Sequence, residues 1–361
     1  MKNNILKRVV KLQLSMLKDN CDAFVIINDE GSNWESLYYM SGFRGTAGAL
    51  IIYKDSVELI LDGRYSTQGR EQSPHDVIDQ KIGLIEDICE RLSKHNTKKI
   101  LCEAEKTVAS KWAKLVATGI ELLDGTSHIR ILRRTKDEFE INYIRKAGEI
   151  ATSAFLDLMN IVRAGMTEKE IESSLNYKIN MLGGEIGFDM IVASGKRSSL
   201  PHGRATEKVI QKGEWVTVDF SARWNGYFCD ITRNFSIGEP DERAAQYHDI
   251  LLESHKDASA QLRSGANGTD IHNRALDVLE KHSLSKYFTH GLGHGFGLEI
   301  HESPFIRKSV NDVLKTGDIV TIEPGIYIEG WGGLRLEDDY LVTKTGSLRL
   351  TDKLSQHFFL V

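Results

Sequence analysis

The sequence predicts a two-domain chain of mixed secondary structure, an α/β domain over residues 1–133 followed by a second domain of helices and strands over 134–361. Three observations carry this. A chain of 361 residues is long for a single core. Residues 1–133 alternate helical and strand patterns, whereas the later part groups two long helices, a strand hairpin, a second helix pair and a run of glycine-punctuated strand segments. Between them the run RRTKDEFEINYIRKAGEIATSAFLDLMNIV turns abruptly to helical periodicity. Thr135 stands there ahead of Asp137 and Glu138 as a cap before an acidic first turn, placing the boundary near 133–135.

In the first domain the expected order is a helix near 5–18, DAFVIIN as a strand, ALIIY and VELILD as a hairpin, a helix near 81–94 and KKILCE as a further strand. In the second, Ala164-Gly165-Met166-Thr167 interrupts the first long helix and starts another, with Thr167 as cap and Glu170 at the capping-box position. Strands, an Asp-bearing hairpin, a helix pair at roughly 241–282 and three Gly-rich segments follow.

Composition excludes several classes of function. A net charge of −5 and a pI near 6.2, with no long basic run, argue against a nucleic-acid partner. Cys21, Cys89, Cys102 and Cys229 are scattered with no C-x-x-C, which indicates neither a disulfide framework nor a zinc ribbon. The N-terminal stretch is broken by Lys7, Arg8, Lys11 and Gln13, and no segment approaches the roughly 20 apolar residues of a membrane span. The expectation is a cytoplasmic protein with no membrane partner.

The chemistry concentrates late in the chain. In WVTVDFSARWNGYFCDITRNF, Asn225-Gly226 lies between two runs of strand formers and reads as a two-residue hairpin turn. If Trp224 faces Tyr227, Asp219 faces Thr232 and Ser221 faces Asp230. Asp219 and Asp230 then become diagonal neighbours roughly 7–8 Å apart at Cα. Val218, Phe220, Cys229 and Ile231 take the other face as its apolar packing. THGLGHGFGLEIHESP clusters His290, His294 and His301 among glycines, DIVTIEPGIY ends an apolar strand on Glu323, and GGLRLEDDYLVT places Arg335 and Glu337 on one face. A single Asp pair on a hairpin would ordinarily be a solvated face. Four carboxylates and an imidazole on consecutive strand segments cost several kcal/mol each to bury, on the order of 2–5, unless neutralised. Only Arg233 and Arg335 are at hand to do so, and a pair of divalent metal ions would complete the balance.

The ordered set Asp219, Asp230, His294, Glu323, Glu337 resembles the pita-bread metallopeptidases, in particular the Xaa-Pro aminopeptidase and prolidase group. With it come PHG at 201–203, GHGFGLEIHESP at 293–304, EPGIY at 323–327 and GLRLED at 333–338. YYMSGFRGTAGALII and LDGRY at 61–65 resemble the short bacterial members, so the likeness covers nearly the whole chain. It implies a creatinase/prolidase-like first domain, an α+β pita-bread catalytic domain of pseudo-symmetric halves, and dinuclear-metal-dependent hydrolysis of the Xaa-Pro bond at a free peptide N-terminus. The expected substrates are short peptides with proline second, and the expected assembly is a homodimer whose first domain limits substrate length. Two departures stand near the ligands: Ser221 replaces the usual glycine after Asp-Phe, and Asn234 the second threonine of Thr-Arg-Thr. In the assumed register Ser221 could hydrogen-bond the Asp230 carboxylate.

By the same resemblance Asp219 and Asp230 hold one metal, His294 and Glu323 the other, and Asp230 and Glu337 bridge them. The oxygen-rich, thiolate-free donor set suits Mn or Co first, with Zn or Fe also admissible. Two such ions activate a shared water and stabilise a developing oxyanion. Glu323 also shuttles a proton. His202 and His301 line the substrate pocket and donate hydrogen bonds, His290 is a proton relay or a support, and Arg335 is a counter-ion or organises the substrate end. A dipeptidase differs from this reading only in substrate length. A methionine aminopeptidase would lack the leading domain, and creatinase or non-catalytic binding relatives lose ligands that are all present here.

Overall fold

Six short strands before Arg133, most of them apolar on both faces, form a sheet that must be covered on each side. In the computed structural model, which describes residues 2–361, the chain divides into two units between Arg133 and Arg134. The first unit holds β1 (Ala23–Asn28), β2 (Gly48–Tyr53), β3 (Val57–Leu61), β4 (Asp76–Asp79), β5 (Lys99–Cys102) and β6 (Glu121–Asp124) in the order β4-β3-β2-β1-β5-β6. The β2–β3 pair is the expected antiparallel hairpin. Val25, Ile27, Ile51 and Ile60 meet Ile85, Ile88 and Leu92 of helix Leu84–Lys94 and Leu115 of helix Ala109–Ala117. Helix Lys2–Lys18 buries Ile5, Val9, Leu12 and Met16 at helical spacing. The edge strands β4 and β6 and helix Trp34–Ser41 escape the sequence reading. DVID and ELLD each offer two apolar residues between acids, too few for a periodicity.

The second unit begins with helix Glu138–Met159. Its cap is Asp137, which accepts from the amides of Phe139 and Glu140 while Glu140 closes a capping box. Thr135, expected to cap it, instead bridges to Asp318, because the carboxylate two residues on offers the stronger acceptor to the helix amides. Helix Glu168–Met181 starts with the Thr167/Glu170 capping box. These helices pack on a sheet ordered β20-β12-β9-β8, made of β8 (Ile191–Ser194), β9 (Trp215–Phe220), β12 (Ile231–Ser236) and β20 (Phe359–Leu360). Phe155 stacks on Phe220 with ring centroids 5.1 Å apart. A small sheet of β7 (Glu185–Ile186), β10 (Ala222–Trp224) and β11 (Tyr227–Phe228) extends it.

Helices Glu242–Ser259 and Gly268–Lys281 cover a second sheet, ordered β14-β13-β15-β18-β19. Its strands are β13 (Gly293–Gly295), β14 (Glu302–Ile306), β15 (Ile319–Ile322), β18 (Asp338–Val342) and β19 (Ser347–Arg349). The ribbon of β16 (Gly325–Ile328) and β17 (Gly332–Arg335) stands between the halves. Two sheet-and-helix-pair halves thus make an α+β unit.

The hairpin turn is the expected one: Asn225 and Gly226 have φ of 51° and 85°, the left-handed region that Asn-Gly tolerates. Trp224 lies opposite Tyr227 and Asp219 opposite Thr232. Between them the chain passes from one sheet to the other, and residues 221, 229 and 230 leave the ladder. Among the described residues no helix is long and apolar enough to cross a membrane.

Candidate metal centre

The strand ends of the two halves converge on one cavity of about 590 Å³, lined among others by Asp219, Asp230, His294, Glu323, Glu337 and Arg335. His202, His290 and His301 line it too, so the five expected ligands and the four expected pocket residues meet there. Asp230, His294 and Glu337 form its tightest group, with one candidate ligand atom from each lying within 4.8 Å of the others. Asp219 and Glu323 flank that group rather than belong to it.

Asp219 and His294 lie within β9 and β13, whereas Asp230, Glu323 and Glu337 lie just beyond strand ends. Asp219 on β9 and Thr232 on β12 are paired across the ladder, and Thr232 Oγ1 donates to Glu337 at 2.7 Å. Asp230 leaves the ladder, and its amide donates to Asp339 Oδ2 at 3.1 Å, which aims its own carboxylate inward. The His294 amide donates to Thr321 Oγ1 of the neighbouring strand. Its Nδ1 donates to the Gly295 carbonyl at 3.1 Å, which fixes the tautomer. Nε2 is left as an acceptor 3.5 Å from Glu323 and 3.6 Å from Asp230.

The electrostatics are those of a site built around missing positive charge. Burial first, then Glu337 and Asp219, drive the Asp230 carboxyl well above the ordinary range. Burial, Glu323 and Asp219 do the same to Glu337. Burial raises Glu323 to about 8, opposed by Arg335. His294 is pushed down to about 3 by burial and then by His301, so its imidazole is neutral. Asp219 Oδ1 is buried without a hydrogen-bond partner. Clustered carboxylates, a neutral imidazole with a free lone pair and an orphaned acid oxygen fit hard divalent cations.

Of the two arginines expected to balance the acids, only Arg335 does so. It donates to Asp219 at 2.7 Å, Thr232 Oγ1 at 3.0 Å and Tyr327 Oη at 2.6 Å. Arg233 is fully buried and donates to Asp338 at 2.6 Å. The parity of the strand could have shown this: Arg233 follows Thr232 and therefore points to the opposite face from Asp219. Ser221 does not reach the Asp230 carboxylate; its hydroxyl donates to the Cys229 carbonyl, because the chain leaves the ladder where the two would have been opposed. Asn234 Nδ2 donates to the Arg335 carbonyl at 2.7 Å, and its Oδ1 accepts from Thr217. The Asn234 departure therefore supports the strand that carries the arginine.

Tyr327, Thr232, Thr321 and Asp339 are site residues that sequence reasoning missed. Tyr327 accepts from Arg335 and sits 3.0 Å from His290 Nε2, while His290 Nδ1 is 2.7 Å from the Gly291 carbonyl. A continuous link thus runs from Asp219 through Arg335 and Tyr327 to His290. Burial pushes His290 down to about 4, with Arg335 adding to it. The signals were available in part: Tyr327 closes EPGIY, and Thr232 is the predicted partner of Asp219. His301 packs edge-on against His294 with ring centroids 4.5 Å apart, and His202 lies in the turn after the short helix Gly195–Ser199.

A buried site with four carboxylates and a neutral histidine on the facing strands of an α+β unit is that of a metal-dependent hydrolase. The chain belongs to metallopeptidase family M24, whose description matches residues 142–344, and the creatinase/prolidase N-terminal domain matches residues 8–135. Its fold is accordingly a creatinase-type domain followed by a pita-bread catalytic domain. It is 36% identical over 320 residues to the Xaa-Pro dipeptidase of Pyrococcus furiosus, covering 88% of this chain and 90% of that one. Among solved structures it is similar to the X-Pro aminopeptidase of Thermotoga maritima, with a TM-score of 0.91, 36% identity, and 94% of this chain and 98% of that one covered. The Xaa-Pro dipeptidase of Bacillus anthracis gives a TM-score of 0.94 at 32% identity, over 99% of this chain and all of that one.

Proposed function

We propose that this metallopeptidase hydrolyses the Xaa-Pro bond at the free N-terminus of short peptides, with residues 134–361 as its catalytic domain and residues 1–133 as a creatinase/prolidase-like domain that limits substrate length. The observation that carries the reading is the convergence of Asp230, His294 and Glu337 in one cavity that His202 and His301 also line. Relatives named Xaa-Pro dipeptidase and X-Pro aminopeptidase over nearly the full length support the substrate class.

Asp219 and Asp230 would hold one divalent ion, His294 and Glu323 the second, with Asp230 and Glu337 shared between them; Mn or Co is the first expectation, Zn or Fe the next. Such ions, when bound, lower the pKa of water toward neutrality and stabilise negative charge on the reacting carbonyl. Glu323 moves the proton, accepting it at a carboxylate oxygen and delivering it to the departing proline nitrogen. His202 and His301 donate hydrogen bonds to the scissile carbonyl or to the proline side of the substrate. Arg335 holds Asp219 in place, and its link through Tyr327 keeps the His290 imidazole beside Glu323, with His290 Nδ1 3.9 Å from Glu323 Oε2. We place the enzyme in the cytoplasm, in keeping with four free cysteines, and take it as the homodimer that the family resemblance implies. A monomer in sedimentation would remove the dimer from this account.

The relatives named dipeptidase favour a second reading, cleavage of Xaa-Pro dipeptides alone. Turnover of Ala-Pro against Ala-Pro-Xaa tri- and tetrapeptides, with Mn and then Co supplied, decides between the two. Cleavage of none of these would refute both.

A further inference from the structure

One buried ion pair lies outside the cluster just described. Lys136 Nζ is 3.1 Å from Glu302 Oε2, with the two side chains only 1% and 8% exposed. The same ammonium donates to the Arg134 carbonyl at 3.1 Å. The other oxygen of Glu302 accepts from the Glu299 amide at 3.0 Å. Glu302 follows His301 directly and opens β14, so the carboxylate closes the short loop that presents the His301 ring to His294.

Burying both charges is costly, and a hydrophobic pair of similar volume would ordinarily serve stability as well or better. What the ions supply instead is direction. Lys136 is itself anchored, since its amide donates to the Gly317 carbonyl at 2.8 Å. Gly297, at the start of the same loop, sits so close over the pair that a Cβ there would meet Lys136 Cε at 3.0 Å and Glu302 Oε1 at 3.2 Å. Glu302 is thus held from one side by a cation and from the other by its own loop's amide, which fixes the backbone from which the His301 ring reaches His294.

We infer that Lys136 and Glu302 are positioning residues, whose buried ion pair fixes the His301 imidazole against His294. The kinetic half of this rests on the proposed role of His301; the geometric half does not. The test is the double variant Lys136→Met/Glu302→Leu, which removes both charges together and so leaves neither unpaired. Its crystal structure should show the His301 ring moved from its place beside His294 while metal content stays at the wild-type level. With Ala-Pro as substrate, kcat should fall about tenfold with KM little changed, and the same double substitution in a His301→Ala background should cause no further loss. Lys136→Arg, which keeps the pair, should retain most of the turnover. An unmoved His301 ring in the double variant overturns the inference, and so does an equal kcat loss in both backgrounds. Full turnover by His301→Ala alone would instead refute the role given to His301, leaving the ring position to decide the positioning.

Discussion

Gly293 lines the cavity hard against the Thr321 backbone, and Gly293→Ala should unseat His294 without altering a ligand. A Cβ at residue 293 would lie 2.0 Å from the Thr321 carbonyl oxygen and 2.8 Å from its carbon. Non-bonded heavy atoms settle at about 3.5 Å, so β13 and β15 would have to part by more than about 1 Å. The next amide along, that of His294, bonds Thr321 Oγ1, and Thr321 Oγ1 is 3.5 Å from Glu323. Separation of these strands therefore pulls His294 from Glu323. Overpacking of this kind costs about 1–3 kcal/mol. For a domain of about 150–250 residues that lowers Tm by roughly 2–12 °C. Melting should be followed with chelator present, so that the strand clash is read apart from metal binding, and metal per chain counted separately. Gly346→Ala is the control, because a Cβ there meets nothing within 4 Å. A Gly293→Ala protein that binds metal fully and melts with the wild type would show that the two strands are not as close as described.

Chelation should abolish turnover and added Mn or Co restore it; full activity after stripping would sink the metal mechanism. Glu323→Ala should lower kcat by at least about 10², and His294→Ala should reduce metal per chain, measured by atomic absorption. His202→Ala and His301→Ala should keep their metal and lose turnover, and metal loss in either would make it a ligand or a support. The metal-free protein should lose stability as pH rises from about 6.5 to about 8. Glu323 is raised from its ordinary value of 4.5 to about 8 in the folded state, so between these the folded protein holds a proton that the unfolded chain has released. The contribution of Glu323 is then full below about 4.5 and lost as pH approaches about 8. His290 and His294, lowered from 6.5 to about 4 and about 3, act in the opposite sense below 6.5, so the loss is read between about 6.5 and about 8. Denaturant melts of stripped and metal-loaded protein across that window test this, and a stripped protein growing more stable toward pH 8 would contradict it.

The five residues at the centre were legible because their placement is local. Asn225-Gly226 selects its own turn, Thr167 and Glu170 cap a helix within four residues, and strand pairing sets Asp219 opposite Thr232, two residues from Asp230. Short-range chemistry of this kind is written in neighbouring residues, and so were the apolar strands of the first unit. Which partner each inward group takes was decided only by tertiary structure. Arg233 pairs with Asp338 and Arg335 with Asp219, across about a hundred residues in each case. Tyr327 joins Arg335 to His290, and Lys136 meets Glu302 from the far end of the unit. Nothing in the local pattern separates a carboxylate awaiting a metal from one already matched to a guanidinium. That choice depends on which strands the two halves bring face to face, and on the desolvation that makes each buried charge find a partner.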